Sequence, residues 1–209
     1  MPWLPFEPVV TEPSTLERRV DDVRAALAER GDRSPDVVER QVAASITHGG
    51  LVSRLISPAL GCAVVCGHVP DMTAANVWWQ DTLGGPFPLS LPLDGGVSGE
   101  PEVLVEAMRS SVVAMTSAIT SAVVSTCDVS PLVLAGNVAA AINAAALTIA
   151  ARDLDLADRS FAIADAVRAA AGLDSEPSPT GPAFRRNSCC LAYRLNPAHR
   201  ELCGDCVLR

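Results

Sequence analysis

The chain has 209 residues, 49% hydrophobic and 19% charged, with a positive mean hydropathy, which excludes a disordered polymer and leaves enough apolar surface for one compact unit. A formal net charge of −8 excludes sequence-independent binding of nucleic-acid phosphates by the molecule as a whole. All 16 basic side chains are arginine, so Schiff-base and phosphate-loop chemistry that depends on lysine is excluded too.

Residues 1–8 hold three prolines and Glu7 but lack the basic and apolar regions of an export signal, so a cytoplasmic location is expected. In that reducing compartment the seven cysteines are expected to serve metal or redox chemistry rather than a disulfide framework. Ser14-Thr15-Leu16-Glu17 has capping-box spacing and predicts a helix to about Arg30, stopped by Gly31. Ser34-Pro35 then predicts a second helix with Val38, Val42, Ala43 and Ile46 on one face. Gly49-Gly50 is expected to interrupt it. Leu51, Leu55, Ile56, Leu60 and Val64 resume the pattern, with a kink or break at Pro58. No chemistry is assigned to His48.

Between Asn76 and Leu93 the residues Trp78, Trp79, Phe87, Leu89, Leu91 and Leu93 flank Gly84-Gly85-Pro86, which predicts a β-hairpin. The two tryptophans are expected as core anchors rather than as the lining of a cleft. Residues 94–100 read as a glycine-rich loop, and Pro101 with Glu102 as a helix start. From 110 to 151 the only charge is Asp128, and two apolar arms, 110–127 and 132–151, each approach the length that spans a bilayer. Their alanine, serine, threonine and asparagine content favours buried helices, with Gly136 and Ala140 letting helix backbones approach, and any membrane contact is expected to be peripheral. Residues 152–171 predict an amphipathic helix ending at Gly172. Residues 174–182 have a proline and serine linker composition. The expected fold is therefore mainly α: a helical body, 1–180, with a small antiparallel hairpin, and a short cysteine-rich module, 181–209.

Four of the seven cysteines, Cys189, Cys190, Cys203 and Cys206, fall within eighteen residues of that module. So short a segment buries too little surface to hold itself together, and a metal or cluster is the natural staple. Cys203 and Cys206 flank Gly204, whose backbone freedom suits a turn aiming both thiolates at one point. The adjacent pair Cys189-Cys190 diverges from the backbone, which is awkward for a closed zinc site and easier for an iron–sulfur cluster. Zinc and a strained vicinal disulfide remain as alternatives. The module carries a net +3 against −11 for the body, positive charge that would offset four thiolates and could recruit an acidic electron donor. Cys62 and Cys66, one helical turn apart with His68 nearby, and Cys127 are read as small buried hydrophobes.

The string Phe184-Arg185-Arg186-Asn187-Ser188-Cys189-Cys190-Leu191-Ala192-Tyr193-Arg194-Leu195, followed by Leu202-Cys203-Gly204-Asp205-Cys206-Val207-Leu208, resembles the carboxyl-terminal signature of the FhuF-type ferric-siderophore reductases. Val42-Ala43-Ala44-Ser45, Arg54-Leu55-Ile56-Ser57-Pro58-Ala59-Leu60 and Gly136-Asn137-Val138-Ala139-Ala140 resemble blocks in the body of actinobacterial members. The resemblance implies a cytoplasmic [2Fe–2S] protein with Cys189, Cys190, Cys203 and Cys206 as ligands. Such a protein takes an electron from a donor such as a ferredoxin and reduces Fe(III) in a hydroxamate siderophore to Fe(II). The twelve residues between the cysteine pairs exceed the family's usual spacing, and the extra loop is expected to bulge outward. His199 within it is expected to be a solvated loop residue rather than a Rieske-type ligand. No serine, histidine and aspartate constellation reads as a triad, consistent with electron transfer as the chemistry. The alternatives are an electron carrier or redox sensor acting on a protein partner, and a structural zinc module.

Overall fold

A computed structural model describes residues 1–92, 94–173, 179–196 and 202–209. Among the described residues the fold is mainly helical with two small antiparallel sheets. After β1 (Leu4–Pro5) and α1 (Glu7–Thr11), α2 runs Pro13–Arg30. It starts one residue before the expected cap. Pro13 takes the first helical position that proline favours, Glu12 becomes the cap residue, and Thr15 Oγ1 donates to the Glu12 carboxylate at 3.1 Å.

Helix α3 spans Arg40–Cys66 and corrects two expectations, since neither Gly49-Gly50 nor Pro58 breaks it. Two interior glycines cost about 1 kcal/mol each against alanine. Buried Leu51, Val52, Leu55, Ile56, Ala59 and Leu60 on either side of Pro58 outweigh that. Pro58 removes one amide donor but is itself only half-buried, about two turns before exposed Val65, so the loss falls away from the core face. Ser34-Pro35 opens only a short 3-10 turn, Pro35–Val37, ahead of α3. Gly67, with φ of 62°, ends α3 in the left-handed conformation that glycine adopts without strain.

The expected hairpin forms. Strand β3 (Trp78–Trp79) pairs with β4 (Leu89–Ser90), Trp79 opposite Leu89. The amino-terminal β1 adds a third strand, Leu4 opposite Trp79. The glycine-rich loop also contains a strand, β5 (Val97–Ser98), paired with β2 (His68–Val69). Leu93 lies outside the described residues. Trp79 is a core anchor, stacked edge-on against Phe6 and Phe87 at 5.5 and 5.2 Å and covered by the Arg19 guanidinium at 5.3 Å. Trp78 points to solvent, a core expectation not met on this face of the strand.

Helix α4 (Pro101–Met108) passes through a π-helical turn, Arg109–Val113, into α5 (Ala114–Cys127). Asp128 turns the chain at φ of 50°, and Ser130-Pro131 opens α6 (Pro131–Arg152). The two apolar arms are helices, but α6 packs mainly on α3 and on α7 (Ala157–Ala170) rather than on α5. Asp153 separates α6 from α7, accepting the Asp155 amide at 3.0 Å, so the amphipathic helix starts later than the pattern suggested. Among the described residues three helical runs are long and apolar enough to cross a membrane by length and composition: Arg40–Cys66, Pro101–Cys127 and Pro131–Arg152.

Replacing Trp79 by alanine removes the centre of the Phe6–Trp79–Phe87 stack. Denaturant unfolding is expected to show a loss of about 3–5 kcal/mol.

Candidate metal centre

The tail is seated on α3 and α6 by polar groups that the core encloses. Thr180 and Gly181 anchor its start: the Thr180 amide donates to Asp165 at 3.0 Å and the Gly181 amide to Asn143 Oδ1 at 2.6 Å. Residues 174–178 of the expected linker lie outside the described residues. Phe184 is buried under the Arg168 guanidinium, 4.9 Å from its ring. Arg186, also buried, donates to Asn137 Oδ1 at 2.5 Å. The Asn137 amide nitrogen lies 3.0 Å from the Ser45 carbonyl, 3.2 Å from Ser45 Oγ and 3.4 Å from His48 Nδ1. Ser45 Oγ donates to the carbonyl of Cys190 at 2.8 Å. A directed chain therefore runs from Arg186 through Asn137 and Ser45 to the backbone of a cysteine.

Gly136 makes this approach possible. A Cβ there would overlap Ser188 Oγ and stand 3.2 Å from Arg186 Nη2. The small residue serves the docking of the tail, where the sequence suggested helix-on-helix packing.

His48 is fully buried at the end of the same network. Thr120 Oγ1 donates to the Thr116 carbonyl at 2.8 Å and stands 2.9 Å from His48 Nε2, so Nε2 carries the proton and Nδ1 accepts from Asn137. Burial first, and the Arg186 charge second, lower its pKa to about 4.

Within this seat the four cysteines converge in two pairs. Cys190 Sγ and Cys203 Sγ are 3.2 Å apart, and Cys189 shares a hydrogen bond with Cys206. The Arg186 amide donates to the Asp205 carbonyl at 2.9 Å and stitches the two cysteine segments together. The Cys206 amide closes a turn onto the Cys203 carbonyl at 3.2 Å. Gly204 is not in the left-handed region. A methyl there would meet nothing within 4 Å, so neither backbone freedom nor close packing calls for glycine at this turn, which corrects the expected role of Gly204. Leu191, by contrast, does adopt a positive φ of 67°, and this turn brings its amide 3.4 Å from Cys189 Sγ. The Leu208 amide similarly donates to Cys206 Sγ at 3.4 Å.

The electrostatics of the donor set fit a thiophilic centre. Burial, then the hydrogen bond and charge of Cys190, push the Cys203 thiol up to about 12. Cys189 is also raised, chiefly by burial. Crowded thiols of this kind become thiolates when a cation binds among them. Among the described residues no three His, Cys, Asp or Glu side chains are arranged to hold a single metal ion. Two thiol pairs side by side instead suit a centre of two irons, each taking two thiolates.

Comparison with known proteins agrees. Residues 186–208 match the family model of the FhuF 2Fe-2S C-terminal domain. The tail is thus similar to a FhuF-type [2Fe–2S] domain, and that likeness together with its cysteine cluster supports a [2Fe–2S] centre. No curated protein and no solved structure matches the chain. The echoes of actinobacterial members in the body lie outside the matched residues.

A cleft of about 600 Å³ opens beside the cysteine-rich tail, bounded by Ser45, Gly49, Asn143, Arg185, Cys190 and Cys203. Neither tryptophan lines it. Residues 197–201, and His199 with them, lie outside the described residues. Cys62 is half-buried and Cys66 exposed, which corrects their reading as buried hydrophobes: α3 turns that face outward near its end. His68 Nδ1 instead meets Ser98 Oγ at 2.9 Å across the β2–β5 pair. Cys127 is buried as expected. Ser45, His48, Asn137 and Asn143 carry no expected role from the sequence. The one available signal was two asparagines within the otherwise apolar α6, where burial demands partners.

Two outcomes test the seat. Asn137→Ala removes the close side-chain acceptor of the buried Arg186 guanidinium, leaving the Val133 carbonyl at 3.4 Å, and is expected to cost about 2–3 kcal/mol in denaturant unfolding. The His48 pKa of about 4 in the folded state lies below its ordinary 6.5, so its contribution is complete above pH 6.5 and is lost as pH falls through 4. That loss is about 3 kcal/mol. Stability measured against pH is expected to fall less steeply over this window in His48→Gln than in the parent.

Proposed function

We propose that the protein is a ferric-chelate reductase in which Cys189, Cys190, Cys203 and Cys206 hold the [2Fe–2S] cluster and the neighbouring cleft receives Fe(III) in a hydroxamate-type siderophore. The observation that carries this reading is the position of Cys190 and Cys203, which are both ligand candidates and part of the wall of the roughly 600 Å³ cleft. A substrate there lies against the donor set with no intervening helix. When bound, the cluster supplies one electron at low potential, about −400 mV for plant-type four-cysteine centres.

The chain's own part is positional. Ser45 fixes the Cys190 backbone, and Arg186 fixes the Cys206 turn through the Asp205 carbonyl. Asn143 holds Gly181 at the cleft wall. The Leu191 and Leu208 amides donate to Cys189 and Cys206, which stabilises negative charge on sulfur. The ferric substrate gains one electron and becomes Fe(II), which hard hydroxamate oxygens hold less tightly, so reduction is also release. The electron comes from a reduced low-potential donor such as a ferredoxin, and the cationic tail suits an acidic one. No proton acceptor or nucleophile is needed.

Serine replacement of any of the four tail cysteines is expected to abolish or shift the visible bands after anaerobic reconstitution, whereas Cys62→Ser and Cys127→Ser retain them. Ala144→Trp fills the cleft from the α6 side. Single-turnover oxidation of the reduced protein by a ferric trihydroxamate is then expected to slow at least about tenfold, with the bands unchanged. An unchanged rate would instead favour a carrier that serves another protein.

A further inference from the structure

Gly49 and Gly50 stand together in the middle of α3 although nothing in the chain needs the space. A methyl at 50 would meet no atom within 4 Å, and one at 49 would make ordinary contact with Asn137 at 3.8 Å. Both residues are helical, so no left-handed backbone calls for glycine. Glycine in a helix interior is less stable than alanine, and here no packing return offsets the loss.

The space opens onto two cavities. Gly49 borders the cleft beside Cys190 and Cys203, and Gly50 borders a second cavity of about 470 Å³ between α2, α3 and the β3–β4 loop. Ile46 and Ser53, just under a turn before and after the pair, border both. Helix α3 is thus the crest between the two cavities for about 10 Å of its length, and the glycines are the low point of that crest. The second cavity is walled by apolar Leu27, Leu83, Pro86 and Phe87 and carries Arg19, Arg30 and Arg54 with no acidic side chain in its lining. Arg19 is neutralised by Asp81, and Arg54 Nε donates to the Phe87 carbonyl. Arg30 has no hydrogen bond or ion pair among the described residues.

We propose that the glycine saddle lets a ferric chelate seated in the cluster cleft pass an apolar arm over α3 into the second cavity, where Arg30 and Arg54 receive a carboxylate at the end of the arm. This rests on the reductase reading and adds the substrate class: a chelate with an apolar, acid-terminated arm. The cavity would select for the arm and leave the electron transfer itself to the cleft.

The test uses the reconstituted full chain and redox-inert Ga(III) complexes of two linear trihydroxamates, one with an apolar arm ending in a carboxylate and one with that arm capped as a methyl amide. Titration calorimetry is expected to give about tenfold or more tighter binding of the acid-terminated complex. Gly50→Ala should raise Tm by about 2–4 °C yet remove most of that preference. Gly61→Ala lies on the same helix, also meets nothing within 4 Å and lines neither cavity, so it should gain stability and keep the preference. Arg54→Gln should reduce the preference and its salt dependence. Equal binding of the two complexes by the parent, or a full preference in Gly50→Ala, overturns the saddle. If the Fe(III) forms are still reduced in that case, the reductase reading stands. If neither complex binds and neither Fe(III) form is reduced, both readings fall.

Discussion

On the proposed ligation, the tail depends on what its sulfur atoms hold. Among its described residues it has no helix beyond the 3-10 turn Ala192–Leu195 and no strand, so backbone hydrogen bonding and its own apolar burial supply little. Phe184 and Cys206 are its buried apolar side chains, and the rest of its order comes from polar contacts with α3 and α6 and from four thiols drawn to one corner. Burial, and then crowding, raise the proton affinity of such thiols, and a cationic centre reverses the preference. On the proposed ligation, the tail and its cluster fold as one unit.

This constraint explains features of the body that would otherwise count against stability. Burying a guanidinium is costly, yet Arg186 is enclosed at the tail seat, where it meets Asn137 and joins the Asp205 carbonyl through its amide. Buried His48 is kept neutral, and its Nε2–H bond to Thr120 fixes Nδ1 as an acceptor for the same asparagine. Gly136 gives up helix propensity so that Ser188 and Arg186 can close on α6. Each of these is a local cost near the cysteines, and each is repaid in the placement of the tail.

Much of this was legible in the chain order of residues, and the remainder was not for identifiable reasons. Helix α2, the Trp79–Leu89 hairpin and the Pro101 helix start are local, marked by helix-start residues and by period-two alternation, although α2 begins at Pro13 and not at the expected Ser14 cap. Continuity of α3 through Gly49-Gly50 and Pro58 was not legible because burial on the far side of the helix overrode local propensity. The cysteines declared themselves by their clustering. Their seat did not, because Ser45 bonds to Cys190 and Asn137 to Arg186 across long stretches of sequence, and no short motif encodes such a contact. Strand β5 was hidden for a similar reason: two residues inside a glycine-rich loop become a strand only when β2 is beside them.

The central claim is that sulfur ligation and the α3–α6 seat hold the tail jointly. Amide hydrogen exchange on the reconstituted protein, before and after removal of iron and sulfide, tests it most directly. The account predicts that the amides of Arg186 and Cys206 are protected with the cluster present and exchange about a hundredfold faster without it, while the buried amides of α3 and α6 keep their protection. Equal protection of Arg186 and Cys206 in both states would show a tail that holds itself in place, and would contradict the account.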